Sequence, residues 1–274
     1  MDFAVIVGIF ICFALMIAGI VLSGGNMRTF TSVDSFLIVA GGTIGSALAG
    51  ISFRDGLKAI FAARDVLMPK KIDWKGTITL FTTLAGEARK NGVLSLQNRL
   101  ADQENPIIKA GLQLIIDGAD SDILVMVTGT KITLQKEADK LGERIFSTMG
   151  SIAPSFGMLG TVIGLVQVLA NLSEPEKLGP GIAQAFITTF YGIVFAKMFF
   201  EPIANKINRN NRQKSRYYEM ILTGLQTLQE GDNPFMVEEK LKAFCTEEDL
   251  QEKVPAKKGE QTEGGQAELQ AEAS

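Results

Sequence analysis

Apolar residues in this chain are gathered into four blocks, and that clumping constrains the fold more than any other feature of the sequence. A helix needs ~20 residues at a rise of ~1.5 Å to cross ~30 Å of hydrocarbon. Residues 3–22, 35–51, 150–172 and 181–200 meet or approach that length, the second being the shortest and rich in glycine. Composition agrees: 46% of the 274 residues are hydrophobic and mean hydropathy is +0.19, too apolar for an ordinary soluble chain in which 21% of residues are charged. The first block starts just after Met1 with no basic segment before it, and ends in Ser23-Gly24-Gly25 with no small-x-small cleavage site. It reads as a retained helix and not as a signal peptide.

Charge gives the topology. Of 27 Lys and Arg residues, fourteen lie in 52–149 and ten beyond 202, whereas the loops 23–34 and 173–180 hold only Arg28 and Lys177. The positive-inside rule places the long segment, the tail and, by parity, the N-terminus in the cytoplasm. The outer loops are too short for a receptor or enzyme domain. Net charge is only −3 and no basic stripe alternates with aromatics, so nucleic-acid binding is set aside. Cys12 and Cys245 have no metal-ligand spacing and read as unpaired thiols.

Within the cytoplasmic segment, apolar spacing predicts an amphipathic helix over 53–67, stopped by Pro69. Further helices are expected over 74–90, from 94 or 95 to 102, over 106–117 and over 122–149, punctuated by Asn91-Gly92, Asn105-Pro106 and Asp117-Gly118. The last should run directly into the third span. No alternating strand pattern competes, so the fold class is all-α: a polytopic membrane protein with four transmembrane helices and a helical cytoplasmic domain between the second and third. The expected divisions are 1–51, 52–149, 150–202, a helical 203–246 and a disordered tail over 247–274, which lacks the apolar residues to offset ordering entropy.

The third span places Gly150, Ala153, Gly157, Gly160, Thr161 and Gly164 on one helical face, and the fourth repeats the pattern with Gly181, Ala185, Thr188, Thr189, Gly192 and Ala196. Such stripes let helices approach closely in lipid, which is their commoner meaning; lining a pathway is the other. Thr161 and Thr189 share a level, each ~16–20 Å from the cytoplasmic face at ~1.5 Å per residue. Hydroxyls there could bond a partner helix or replace water around an ion, although back-bonding to their own helix is the ordinary fate of a single threonine. An absence adds to this. The spans hold no Asp, Glu, His or Arg at depth, so this chain cannot relay protons or Na⁺ unaided; if it is part of an ion machine, a second protein brings the carboxylate.

Enzymatic readings find no support. The chain has no histidine, no phosphate-binding Gly-x-x-x-x-Gly-Lys loop, no Gly-x-Ser-x-Gly elbow and no Cys/His metal cluster. No catalytic residues, metal ligands or cofactors are therefore assigned, beyond H⁺ or Na⁺ as a coupling ion.

The string from Ala153-Pro154-Ser155-Phe156-Gly157 through Gly160-Thr161-Val162-Ile163-Gly164, with Leu178-Gly179-Pro180-Gly181 and Thr188-Thr189-Phe190-Tyr191-Gly192, resembles the signature of the MotA/PomA flagellar stator family. Val33-Asp34-Ser35, Gly41-Gly42 and Ala88-Arg89-Lys90-Asn91-Gly92 extend the resemblance, which covers about residues 1–245. It implies a ring of five such chains around the membrane helices of a MotB/PomB partner, whose aspartate binds the ion, with torque delivered to the rotor protein FliG. It further implies that Pro154 and Pro202 couple ion passage to movement, that Arg89 and Lys90 meet the rotor, and that Thr161, Thr188 and Thr189 face the partner helices. Gln97 stands where the family commonly has glutamate, so the acidic half of the rotor contact departs from the pattern, with Arg99, Asp102 and Glu104 as substitutes nearby. The alternatives are an ExbB/TolQ-like energiser, usually built with three spans and its bulk after the first, and a passive membrane scaffold.

Overall fold

The computed structural model describes residues 4–52, 55, 56 and 71–251. The amphipathic helix expected over 53–67 and the tail beyond 251 lie outside these. The described residues are helical with no strand. Helix α1 (Ala4–Leu22) is followed by a 3₁₀ turn, Met27–Phe30, and by α2, which runs as Val33–Phe36, a π-helical stretch Leu37–Gly41, and Gly42–Ala49. In the cytoplasmic part come α3 (Trp74–Asn91), a 3₁₀ turn Val93–Leu96, α4 (Gln97–Leu100) and α5 (Pro106–Ile116). Helix α6 (Ser121–Ala170) is 50 residues long. Helix α7 (Pro175–Val194) continues through a π-helical stretch, Phe195–Phe200, into α8 (Glu201–Glu230); α9 (Pro234–Lys242) and α10 (Glu247–Gln251) follow.

Three helical stretches, Met27–Ala49, Ser121–Ala170 and Pro175–Glu230, are long and apolar enough to cross a membrane. Helix α1 has 19 residues, which at ~1.5 Å each comes close to the hydrocarbon thickness. Helices α6 and α7–α8 each run on past the membrane into the cytoplasmic part without a loop. The α6 continuity was expected from its pattern; its two parts share one helix because no Gly-Pro or Asx-Gly break separates the charged segment 136–144 from Gly150.

The membrane helices meet through small residues. On α6, a Cβ at Gly157 would lie 3.3 Å from Gly192 Cα and 3.3 Å from the Thr188 carbonyl oxygen, so the two backbones touch. A Cβ at Gly160 would overlap the Thr188 methyl at 2.0 Å, and one at Gly164 would meet Ala185 Cβ at 2.9 Å. The glycine stripe is therefore the α6–α7 packing face. Helix α2 joins it by receiving the Phe156 ring over Gly42, where a Cβ would come within 2.3 Å of the ring. Aromatic edge contacts tie in the rest: Phe13–Phe199 for α1 at 5.5 Å, Phe36–Phe195 for α2 at 5.7 Å.

The cytoplasmic core is built from Phe81 and Leu84 of α3, Leu96, Leu112 of α5, Leu124 of α6, Met220, Ile221 and Leu225 of α8, and Val237 and Leu241 of α9, all fully buried. Two glycines let it close: Leu225 fills the space a Cβ on Gly111 would need, and the Phe81 ring does the same over Gly224. Local signals start the helices. Asp73 accepts from Gly76 N at 2.8 Å, Asn105 from Ile107 N at 2.9 Å with Pro106 following, and Asn233 from Met236 N at 2.8 Å with Pro234 following.

The boundary expected at 247 needs correction. Thr246 and Asp249 cap one another, Thr246 N donating to Asp249 Oδ2 at 2.9 Å and Asp249 N to Thr246 Oγ1 at 3.3 Å, so Glu247–Gln251 forms a helical turn. The Arg216 guanidinium holds Asp249 at 3.2 Å while lying over the Trp74 ring. Side-chain reciprocity between Thr246 and Asp249, together with Leu250 packing against the core, orders this stretch.

A bulky residue at the tightest crossing should be costly. A Cβ at Gly192 would sit 2.8 Å from the Ala153 carbonyl oxygen and 3.0 Å from Gly157 Cα, both backbone atoms. Gly192→Val is expected to destabilise the chain by about 1–3 kcal/mol, lowering the unfolding midpoint of the purified protein in detergent. Gly45→Ala, which meets nothing within 4 Å, should leave that midpoint in place.

Candidate functional site

Threonines at matched heights on α6 and α7 converge. Thr161 and Thr189 place their hydroxyls in direct hydrogen-bond contact. Thr161 Oγ1 also lies 3.2 Å from the Gly157 carbonyl oxygen and 3.3 Å from that of Ala185; Thr189 Oγ1 lies 3.4 Å from each of the same two carbonyls. Each threonine thus reaches the carbonyl one turn back on its own helix and the equivalent carbonyl of its neighbour. Four uncharged oxygens, two hydroxyl and two carbonyl, gather in a nearly symmetric cluster. It forms because Gly157 and Ala185 are small enough for the carbonyls to approach across the helix pair. The two threonines are half-buried, so the cluster opens at one edge of the pair, beside the exposed Met158, Val162 and Phe186.

Chemically, such a set offers oxygen ligation suited to a hard cation and two rotatable hydroxyls. It supplies no charge. No carboxylate comes from 150–172 or 181–200 of this chain, so a bound cation would need its counter-charge from elsewhere.

Thr188 is not brought to this edge. It is fully buried between α6 and α2, its methyl over Gly160 and its Oγ1 2.9 Å from Ser35 Oγ and 2.7 Å from the Gln184 carbonyl. Within the chain it faces α2 and not a surface a partner helix could reach. Adjacent residues on one helix point about 100° apart, which separates Thr188 from Thr189.

Ser35 and Tyr191 were missed by sequence reasoning. Ser35, fully buried, completes the Thr188 contact and lies 2.9 Å from Ser32 Oγ. Tyr191 donates to the Phe30 carbonyl at 2.6 Å and accepts from Ser32 N at 3.3 Å, pinning the turn between α1 and α2 onto α7. A small hydroxyl at the start of an apolar block, and a tyrosine among phenylalanines, are the signals that could have pointed to them.

The prolines sit at one end of the apolar stretches of α6 and of α7–α8. Pro154 lies inside α6, half-buried, and withholds the donor the Gly150 carbonyl would use. Pro202 withholds one from Met198, and the π-helical stretch Phe195–Phe200 immediately precedes it. Lys197 and Glu201 pair at 2.5 Å on this stretch.

At the far end of the cytoplasmic part, Arg89 and Lys90 occupy the last turn of α3, exposed and without an ion pair among the described residues. Their charges suit the negative end of the helix dipole. Arg99 is differently placed: its guanidinium makes a two-pronged contact with Glu87, Nε to Oε2 at 3.1 Å and Nη2 to Oε1. That hydrogen bond holds the Glu87 carboxyl below, and the Arg99 guanidinium above, its ordinary range. Asp102 carries no ion pair among the described residues, and Gln97 is exposed.

The model of the MotA/TolQ/ExbB proton channel family matches residues 99–220, which includes both threonine-bearing helices. The chain is similar to the chemotaxis protein PomA of Vibrio alginolyticus, 33% identical over 247 residues, spanning 90% of this chain and 96% of that protein. Among solved structures it is similar to MotAB of C. jejuni, with a TM-score of 0.82 at 26% identity over 90% of this chain and 97% of that one. It is also similar to the flagellar MotAB stator complex of Bacillus subtilis, with a TM-score of 0.78 at 27% identity over 89% and 97%.

The Glu87–Arg99 contact should depend on pH in one direction. A carboxyl with a depressed folded-state pKa contributes stability that is present above its unfolded value, near 4.5, and is lost as pH falls through the lower folded value. Carboxyl-carbon NMR of the selectively labelled protein is expected to show Glu87 titrating below 4.5, and returning upward in Arg99→Ala.

Proposed function

The chain belongs to the MotA/PomA family of flagellar motor stator subunits, within the MotA/TolQ/ExbB proton channel family, and we propose that it joins a MotB-type partner to form an ion path whose flow becomes torque on the rotor. Carrying this reading is the four-oxygen cluster of Thr161, Thr189, Gly157 and Ala185 in apolar helices that supply no carboxylate. A partner helix laid along the open edge of α6 and α7 would bring an aspartate to those oxygens. The partner-facing role then belongs to Thr161 and Thr189, with Thr188 fixing α7 from behind.

The coupling ion is H⁺ or Na⁺, and oxygen ligation by hydroxyls and carbonyls favours Na⁺. Membrane potential supplies ~2.3 kcal/mol per charge per 100 mV. Pro154 and Pro202 lie where a span can bend as the ion passes. Helices without a break at the membrane surface carry that movement into the cytoplasmic part, where Arg89 and Lys90 meet the rotor protein FliG. Five copies around the partner helices, in the bacterial inner membrane with both termini in the cytoplasm, make the working assembly. Neither a catalytic group nor a cofactor beyond the ion enters this scheme.

The ExbB/TolQ-like and scaffold readings give way because PomA and the MotAB complexes match about nine-tenths of this chain.

Co-expressed with its partner in a stator-null swimmer, the chain is expected to restore motility in sodium-containing medium and not in sodium-free medium at equal membrane potential. Thr161→Ala and Arg89→Ala are each expected to reduce swimming while leaving membrane assembly intact. Motility without sodium would assign the proton, and failure to swim with a compatible rotor and correct assembly would sink the stator mechanism.

A further inference from the structure

Between their apolar membrane stretches and the cytoplasmic core, α6 and α8 stand apart around a cleft of about 520 Å³. That volume falls within the roughly 300–1,000 Å³ usual for a small-ligand site, yet the walls are polar. Glu143 and Lys140 come from α6 and Asn208 and Arg212 from α8, with Asp139 and Ser215 further from the membrane. Asn208 bridges the two helices. Its Nδ2 donates to Glu143 at 3.0 Å, while its Oδ1 accepts from Arg212 Nε at 3.0 Å and so sets the guanidinium in the cleft wall.

Acceptors in the cleft are already engaged. The Asp139 carboxylate receives the Tyr218 hydroxyl at 3.0 Å and lies 3.5 Å from Lys214 Nζ, and its backbone carbonyl takes Asn211 Nδ2 at 2.9 Å. Donors are in surplus. Lys136 is held by Glu219 at 2.8 Å, but Lys140 and Arg212 have no ion pair, and Ser215 Oγ no hydrogen bond, among the described residues. Both terminal nitrogens of Arg212 are left for an acceptor that the described residues do not supply. Engaged carboxylates and unengaged donors on two facing helices suit a ligand made of acceptors. A phosphate group presents several anionic oxygens, two of which an arginine fork meets at once.

We propose that this cleft binds a phosphate ester, held by Lys140 from α6 and by Arg212 and Ser215 from α8. Lys140 stands ten residues before Gly150, and Arg212 ten after Pro202. At ~1.5 Å per residue each is ~15 Å from the apolar stretches, close to the cytoplasmic headgroup layer. The phosphate therefore comes from a lipid headgroup or from a cytoplasmic solute. Bound there, it would tie α6 to α8 at the point where the helices pass from membrane packing to the cytoplasmic core. The inference needs neither the ion path nor the rotor contact.

The test follows the unfolding midpoint of the full chain, purified with its partner subunit in detergent, as glycerol 3-phosphate, short-chain phosphatidylglycerol or, for reference, chloride is added at constant ionic strength. A saturable rise is expected with at least one of the two phosphate probes and none with chloride. Arg212→Gln and Lys140→Gln, one on each helix, are each expected to raise the half-saturating concentration about tenfold. Lys131→Gln, which removes an exposed cation of α6 outside the cleft, should leave it unchanged. Saturation by phosphatidylglycerol alone supports the site and assigns it to a headgroup, whereas saturation by glycerol 3-phosphate supports it with a soluble ligand as sufficient. No saturable rise with either probe overturns the proposal. So does a rise that both cleft variants retain, or one that Lys131→Gln weakens as much as they do.

Discussion

Backbone contact between α6 and α7 at Gly157 and Gly192 is the constraint on which the rest of the molecule depends. In lipid there is no hydrophobic gain in bringing two apolar helices together, so close packing and polar contacts must do it. At this crossing the helices approach until Cα meets Cα, and only then can Thr161 and Thr189 share the carbonyls of Gly157 and Ala185. The oxygen cluster is a product of the packing. Moving the helices apart by the width of one methyl group would leave two threonines each bonded to its own helix.

Below the membrane the same two helices part company chemically. Between Gly150 and the apolar core, α6 and α8 are joined by polar contacts: Glu143 accepts from Asn208 at 3.0 Å, the Asp139 carboxylate from Tyr218 at 3.0 Å, and Glu219 from Lys136 at 2.8 Å. Burial, with Asp139 beside it, pushes the Tyr218 hydroxyl far above its ordinary range, so it remains the donor throughout the physiological span. Further on, Ile132, Leu124, Met220 and Leu225 resume apolar packing. A junction rich in side-chain hydrogen bonds thus lies between the apolar membrane interface and the cytoplasmic core.

Much of this was legible in the residue order. Blocks of apolar residues at ~20-residue length announced the spans, and Asp73, Asn105-Pro106 and Asn233-Pro234 mark starts that the backbone uses. The shared depth of Thr161 and Thr189 followed from rise per residue alone. Direction did not: whether Thr188 or Thr189 faces the open edge depends on the rotation of α7, which Gly160 and Ser35 set through contacts distant in sequence. The π-helical stretches escaped notice because a wider turn costs nothing in hydropathy pattern. The turn at Glu247 escaped because its order comes from Thr246, Asp249, Arg216 and a single leucine, Leu250, on the core, while the surrounding composition is that of a tail.

The interlock of Phe81 with Gly224, and of Gly111 with Leu225, also bears on how the protein is made. Helices α3, α5 and the start of α6 leave the ribosome well before α8, and both remaining spans are synthesised in between. Until those spans have been threaded into the bilayer, Phe81 and Leu112 lack the side of the core that Met220, Ile221 and Leu225 supply. The cytoplasmic half therefore waits, unfinished and apolar, on the insertion of the membrane half. Biogenesis is ordered by the chain's own path: translocation comes first, and the core closes only when α8 returns.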